Sequence, residues 1–314
     1  APTEHGGHGP AAPGGRLTQA QIEHEVHGEV LTAKAPYLNK GFFFGRAVLY
    51  FLLWALVSMR LFGFSASEDA TRDRNWTRKA QGMAPWALPI MALTSTFAAF
   101  DWYMSLLPSW YSTIYGVCMF SSGLVALFAS LILVTMWLRG RGLLGDTVNV
   151  EHYHDLGKLL FGFNCFWAYV NFSQFFLIWY AAIPEETEYF HLRWSEGPWT
   201  NVSIFLVIFH FAVPFVLLMS RNVKRNLTWL KVGAWLLLVS HVVEMYWLIL
   251  PNYARATGVE AHEAHALAPH LLDVLSFVGV AGVFAAVVLH GMANHPLVAV
   301  GDPRLDRSRH FENA

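Results

Sequence analysis

His241 and Glu244 stand three residues apart, and Asp101, Gln174 and Asp273 join them as polar residues in or beside otherwise apolar stretches. An imidazole one helical turn from a carboxylate can take up and release a proton between two accessible states. His210 lies near the middle of another apolar run. In a further run Asn164, Asn171 and Gln174 fall within about 80° of one another at 100° per residue, so one helical face carries all three. Thr94, Ala98, Asp101 and Ser105 share a face by the same rule. Charged side chains at membrane depth cost about 2.5–3.5 kcal/mol or more on insertion scales, and such residues are functional by default. The chemistry expected is a proton route through Asp101, His210, His241 and Glu244, with Gln174, Asp273, Asn164 and Asn171 alongside. His154, Asp155 and Lys158 stand at its inner mouth, where a surface ion cluster is the competing reading.

Rival chemistries use the same residue types. His210 and His241 on neighbouring helices could hold a b-type haem, for which a single histidine pair is a weak signal. His5, His8, His24, His27, His262 and His265 could bind a metal. Their spacing is H-x-x-H, not the H-E-x-x-H of a zinc hydrolase, so a solvated cluster is the better reading. Any one polar group, Asn171 or Ser276 for example, can also be an interhelical hydrogen bond worth about 0.6 kcal/mol. Gly279, Gly282 and Ala286 read as close packing.

The elements that must position these groups are membrane helices. Of the 314 residues only 14% are charged, against roughly 25% in a soluble domain, while 55% are apolar. Seven apolar runs, approximately 42–62, 84–107, 112–138, 156–183, 200–220, 229–250 and 271–291, each approach the ~20 residues that a spanning helix needs. They lack the alternation of barrel strands, which leaves an all-α integral membrane protein with seven transmembrane helices. Residues 1–41 form an extramembrane lead-in, 42–291 the helical domain and 292–314 a tail. The net charge of −1 gives no reason to propose nucleic acid. Cys118 and Cys165 lie inside apolar runs, and two cysteines exclude four-thiolate iron–sulfur ligation.

Arginine and lysine gather after the first, third and fifth runs (Arg72, Arg74, Arg78, Lys79; Arg139, Arg141; Arg221, Lys224, Arg225) and in the tail (Arg304, Arg307, Arg309). The other side has Arg16, Lys34, Lys40, Arg193 and Arg255. The positive-inside rule therefore predicts a periplasmic N-terminus and a cytoplasmic C-terminus in a bacterial inner membrane. Trp110, Tyr111, Tyr180, Tyr189, Trp194 and Trp199 read as an interfacial aromatic belt.

Several strings are long and unusual in composition: Ala35-Pro36-Tyr37-Leu38-Asn39, Phe100-Asp101-Trp102, Pro108 to Thr113, His154 to Phe161, Phe172 to Phe175, Ile178 to Ala181, Ile183 to Thr187, and His210 to Phe215. In order, from about residue 35 to about 290, they resemble the F subunit of bacterial alternative complex III. That family is named for a second quinone-binding subunit of quinol:cytochrome c oxidoreductases and is similar to NrfD and polysulfide-reductase membrane subunits. The resemblance implies a ten-helix fold with two four-helix bundles, of which seven helices would be the C-terminal part and three would precede the sequence shown. It implies a complex of the respiratory or photosynthetic chain that oxidises menaquinol or ubiquinol and passes electrons to a soluble cytochrome or a terminal oxidase. The iron–sulfur B subunit, the c-type haem subunits, a homologous quinol-binding C subunit and small membrane subunits would be the partners, and this chain would hold no redox cofactor. Asp101 falls in the family's F-D-W string, Gln174 in F-S-Q and His210 in H-x-x-V-P-F. His241 and Glu244 rest on depth alone. Two other roles remain open, direct quinol binding and plain anchoring.

Overall fold

The computed structural model describes residues 28–194, 197–256 and 271–312. Among them every regular element is helical. His5, His8, His24, His27, His262 and His265 lie outside the described residues.

Helix α1 (Lys40–Thr71) begins where the Asn39 side chain accepts from Phe42 N at 2.8 Å, the bond a capping residue makes to an otherwise orphaned amide. It ends at Arg72, whose positive φ of 55° turns the chain while its N–H returns to Glu68 O. Helix α2 (Asn75–Trp102) lies along α1, and α3 (Tyr115–Gly140) along α2. Helix α4 (Val150–Ala181) opens on a capping box of Asn149 and His152. Then come α5 (Pro184–Trp194), α6 (Trp199–Met219), α7 (Leu227–Ala256), α8 (Leu271–Asn294) and the short α9 (Leu305–Arg309).

Each of the seven apolar runs is helical over most of its length; the helices overrun the runs at polar ends such as 63–71 and 75–83 and fall short of them at 112–114 and 182–183. Among the described residues six helices are long and apolar enough to cross a membrane: α1, α2, α3, α6, α7 and α8. Helix α4 has 32 residues, about 48 Å at 1.5 Å per residue, but Asn164, Asn171, Ser173 and Gln174 interrupt its apolar run. It is packed against α3, α6 and α7, so its polar face looks into protein.

Two cores stack along the bundle. One joins Val125 and Ile132 of α3, Leu160 and Trp167 of α4, Leu218 of α6 and Leu230 and Leu237 of α7. The second joins Ala99, Trp110, Tyr115, Ile178, Tyr189 and Leu248. Three residues of the expected aromatic belt therefore belong to the interior: Trp110, Tyr189 and Trp199 are buried, with Trp110 stacked on Tyr189 at 4.2 Å. Trp110 Nε1 donates to Glu186 O, so its polar edge is satisfied inside. Tyr111 and Tyr180 are exposed, as a belt requires.

Close approach of α2 and α3 depends on Gly116, where an added Cβ would lie 2.5 Å from Thr96 Cγ2. Gly116→Val is expected to cost about 1–3 kcal/mol, the usual range for overpacking, and thermal unfolding in detergent measures it. The tail touches the last turn of α1 and the loop after α3: Gly301 N donates to Asp69 Oδ1 at 2.6 Å and Asn149 Nδ2 to Phe311 O at 3.2 Å. Arg225 of the segment after α6 donates to Glu151 in the first turn of α4, so all four segments that the charge pattern assigned to one side meet at one end of the bundle.

Candidate functional site

Glu244 is 2% exposed on α7 and gathers partners from three other helices. Trp167 Nε1 of α4 donates to its Oε1 at 2.7 Å. Ser122 Oγ of α3 donates to Oε2. His241 Nδ1, one turn earlier on α7, lies 3.3 Å from Oε2 and 2.9 Å from Ser122 Oγ. His210 Nδ1 of α6 stands 3.8 Å from the same oxygen. The sequence pair His241/Glu244 is thus joined by His210 from another helix. The two imidazoles converge on one carboxylate oxygen through their Nδ1 atoms.

Local backbone explains how His210 gets there. Residues Leu206–Ala212 form a π-helical stretch inside α6, a rare winding that concentrates at functional sites. The His210 ring stacks on Trp167 with centroids 4.0 Å apart. Ser240 Oγ donates to Phe209 O, holding the widened turn against α7. His210 is fully buried, and neither ring nitrogen has a hydrogen-bond partner among the described residues. Such orphaned polar atoms are where water or a moving proton is accommodated.

A cavity of about 350 Å³ adjoins this cluster. Glu244 and Gln174 lie in its wall with Asn171, and Phe175, Trp194 and Trp247 supply apolar surface. Phe172 and Val207, also in the wall, are exposed at the surface. Cys118 Sγ donates to Gln174 Oε1 at 3.0 Å, which leaves the buried Gln174 Nε2 without a partner among the described residues. Asn171 Nδ2 bonds back to Trp167 O at 2.9 Å. Asn164, on the same face of α4, is completely buried with both side-chain polar atoms unpartnered among the described residues.

Asp101 belongs to a separate cluster. Arg46 of α1 grips it with two bonds, Nε to Oδ2 at 2.8 Å and Nη2 to Oδ1 at 2.7 Å, and Tyr50 Oη donates to Oδ2 at 2.8 Å. The guanidinium lies 3.8 Å from the Tyr37 ring and 4.3 Å from that of Phe42. Asp101 is 1% exposed, and among the described residues no hydrogen bond joins its cluster to that of Glu244.

The remaining candidates are spread apart. His154 is buried in the first turns of α4 with Nδ1 unpartnered among the described residues. Asp155 and Lys158 form an i,i+3 pair at 2.5 Å with side chains 36% and 48% exposed, the surface ion cluster that was the competing reading. Asp273 sits in the first turn of α8, a helix with no buried residue.

Arg193, counted in the sequence as an outer-loop charge, is completely buried. Its guanidinium donates to Trp247 O at 3.2 Å, Tyr189 O at 2.9 Å, Leu248 O at 3.0 Å and Asn252 Oδ1 at 3.3 Å. The Trp247 carbonyl is free for this because Pro251, four residues on, has no N–H. Burial lowers the Arg193 pKa, while Tyr189 and Tyr115 pull it back up; arginine stays protonated regardless. Ser203 Oγ donates to Arg193 O and accepts from Trp247 Nε1, which fixes one wall of the cavity.

Sequence reasoning missed Arg46, Ser122, Trp167 and Arg193. Trp167 carried a usable signal, being three residues from Asn164 on the polar face of α4, and so did Arg46, an arginine inside the first apolar run. Ser122 had none. No family model and no curated protein matches the chain.

Proposed function

We propose that this chain is a proton-exchanging membrane subunit of a quinol-oxidising complex of the alternative complex III type, working without a redox cofactor of its own. The strings from Ala35 to Phe215 support the family, and Glu244 supports the role. Its carboxylate meets Ser122, Trp167, His241 and His210 around one buried point, with His210 left without a hydrogen-bond partner among the described residues. A carboxylate flanked by two imidazoles and a hydroxyl can hand a proton on without a charge ever being stranded alone in oil. In this reading His210, His241 and Glu244 exchange the proton, and Gln174, Asn171 and Asn164 line its approach. Asp101 anchors α1 to α2 through Arg46. In this reading helix α4 serves as a seventh span beside the six apolar ones, and the seven would be the C-terminal part of a ten-helix NrfD-like fold. Electrons stay on iron–sulfur and haem subunits, and the quinol is oxidised on the homologous C subunit.

Glu244→Gln keeps the shape and the Trp167 bond but cannot ionise. In the assembled complex reconstituted in vesicles, the variant is expected to keep quinol oxidation while proton release per electron falls. Unchanged coupling would sink the proposal. A hydrophobic carbodiimide, which attacks carboxyls reached from an apolar phase, is expected to label Glu244 through the cavity and to spare Asp101 under Arg46; peptide mass spectrometry reads the adduct.

The cavity favours one second reading, a quinol head seated against Gln174 Nε2 and Glu244. A photoreactive quinone analogue separates the two. Labelling of Phe172 or Phe175 supports seating here, and exclusive labelling of another subunit defeats it.

A further inference from the structure

The tail leaves α8, a helix with no buried residue, and then makes two sets of specific contacts. At the first, His295 packs edge-on against Phe62 with centroids 4.9 Å apart, Arg72 donates from its guanidinium to Val300 O, and Gly301 N donates to Asp69 Oδ1. Backbone passes so close here that a Cβ on Gly301 would stand 2.6 Å from Glu68 O and 2.7 Å from Asp69 Cα, so only glycine fits. Glu68 O is also the acceptor that closes α1.

At the second, the tail meets the capping box of α4. Asn149 Oδ1 accepts from Glu151 N and His152 N, and its spare Nδ2 donates to Phe311 O. His152 uses Nδ1 inside the box, and its spare Nε2 lies 2.9 Å from Ser308 Oγ. The Phe311 ring lies 5.8 Å from that of His152. Between the anchors, Asp302 Oδ1 accepts from Arg304 N and starts the turn into α9.

We propose that residues 295–311 are an intramolecular clasp, the end of α1 and the start of α4 forming the docking site for this chain's own tail. The second anchor uses the atoms that the capping box leaves spare, and the Arg72 N–H bond to Glu68 O that closes α1 involves no tail atom, so undocking leaves both helices capped. The clasp therefore opens without unfolding the bundle. It ties α1, which carries Arg46 and Tyr50, to α4, which carries Trp167 and Gln174. It stands whether or not Glu244 exchanges protons.

Limited trypsin digestion of the full chain in detergent micelles tests it, with intact mass reading cleavage at Arg304, Arg307 and Arg309. Proteolysis follows the population of the open form when opening is fast. Gly301→Val is expected to raise tail cleavage about tenfold, Ser308→Ala about threefold. Gly291→Val, where added atoms meet open space, is expected to leave it unchanged. Equal tail cleavage in wild type, Gly301→Val and Ser308→Ala would overturn the proposal, as would a wild-type tail cut as fast as an unstructured peptide. Should Gly301→Val unfold, the Ser308→Ala comparison decides alone.

Discussion

Replacing Arg46 with methionine is expected to destabilise the chain by about 3–5 kcal/mol, the range for removing one member of a buried ion pair. The cost arises less from the lost attraction than from Asp101, which stays at 1% exposure with Tyr50 as its remaining side-chain donor. Asp101→Asn is also expected to destabilise, because it leaves the buried Arg46 guanidinium without its carboxylate partner. The informative construction is Arg46→Met with Asp101→Leu, which removes both charges and fills the space. Exchanging a buried pair for apolar groups is often neutral or better, so the double substitution should recover most of the loss. Melting temperature in detergent, compared across wild type, Arg46→Met, Asp101→Leu and the double variant, gives the coupling. Recovery in the double variant would show Asp101 and Arg46 acting as one structural unit; a double variant as unstable as the sum of the singles would mean that each has partners of its own.

Arg193→Leu is the second large effect, at about 2–5 kcal/mol from orphaned carbonyls and a side-chain-sized void. Its cause lies 58 positions away in the proline of α7. Without Pro251 the Trp247 carbonyl would have an amide of its own helix, and Arg193 would have one acceptor fewer. Pro251→Ala is therefore expected to soften the penalty, so that Arg193→Leu costs less in the alanine background than alone. Additive losses would break that connection. Because Trp247, Leu248 and Ser203 wall the cavity, the single variant should also reduce labelling of Glu244 by carbodiimide.

The seven runs and the polar face of α4 were legible in the sequence because both follow from period alone: apolar length marks a helix, and 100° per residue brings Asn164, Asn171 and Gln174 together. His241 with Glu244 was legible for the same reason. What period cannot reveal is which helices meet. His210 reaches Glu244 only through tertiary packing and a locally widened winding, and neither leaves a pattern in residue types. Arg46 was visible as an arginine in an apolar run, yet its meaning depended on Asp101 standing opposite on α2. Arg193 and the aromatics Trp110, Tyr189 and Trp199 were misread because charge and ring type say what suits an interface, not whether a short helix such as α5 folds back over the bundle end and covers it.

The π-helical stretch in α6 has one more implication. Leu206, His210, Pro214 and Leu218 are all buried, at a constant interval of four. On a regular α-helix that interval advances about 40° per step, so the last of them would have rotated about 120° from the first. The looser coil absorbs part of this drift and keeps the four side chains pointing inward. Deleting a single residue between Leu206 and His210 would leave a regular α-helix in which Pro214 and Leu218, then seven and eleven steps from Leu206, keep its face within about 20°, while His210, at three steps, swings about 60° away from Trp167 and Glu244.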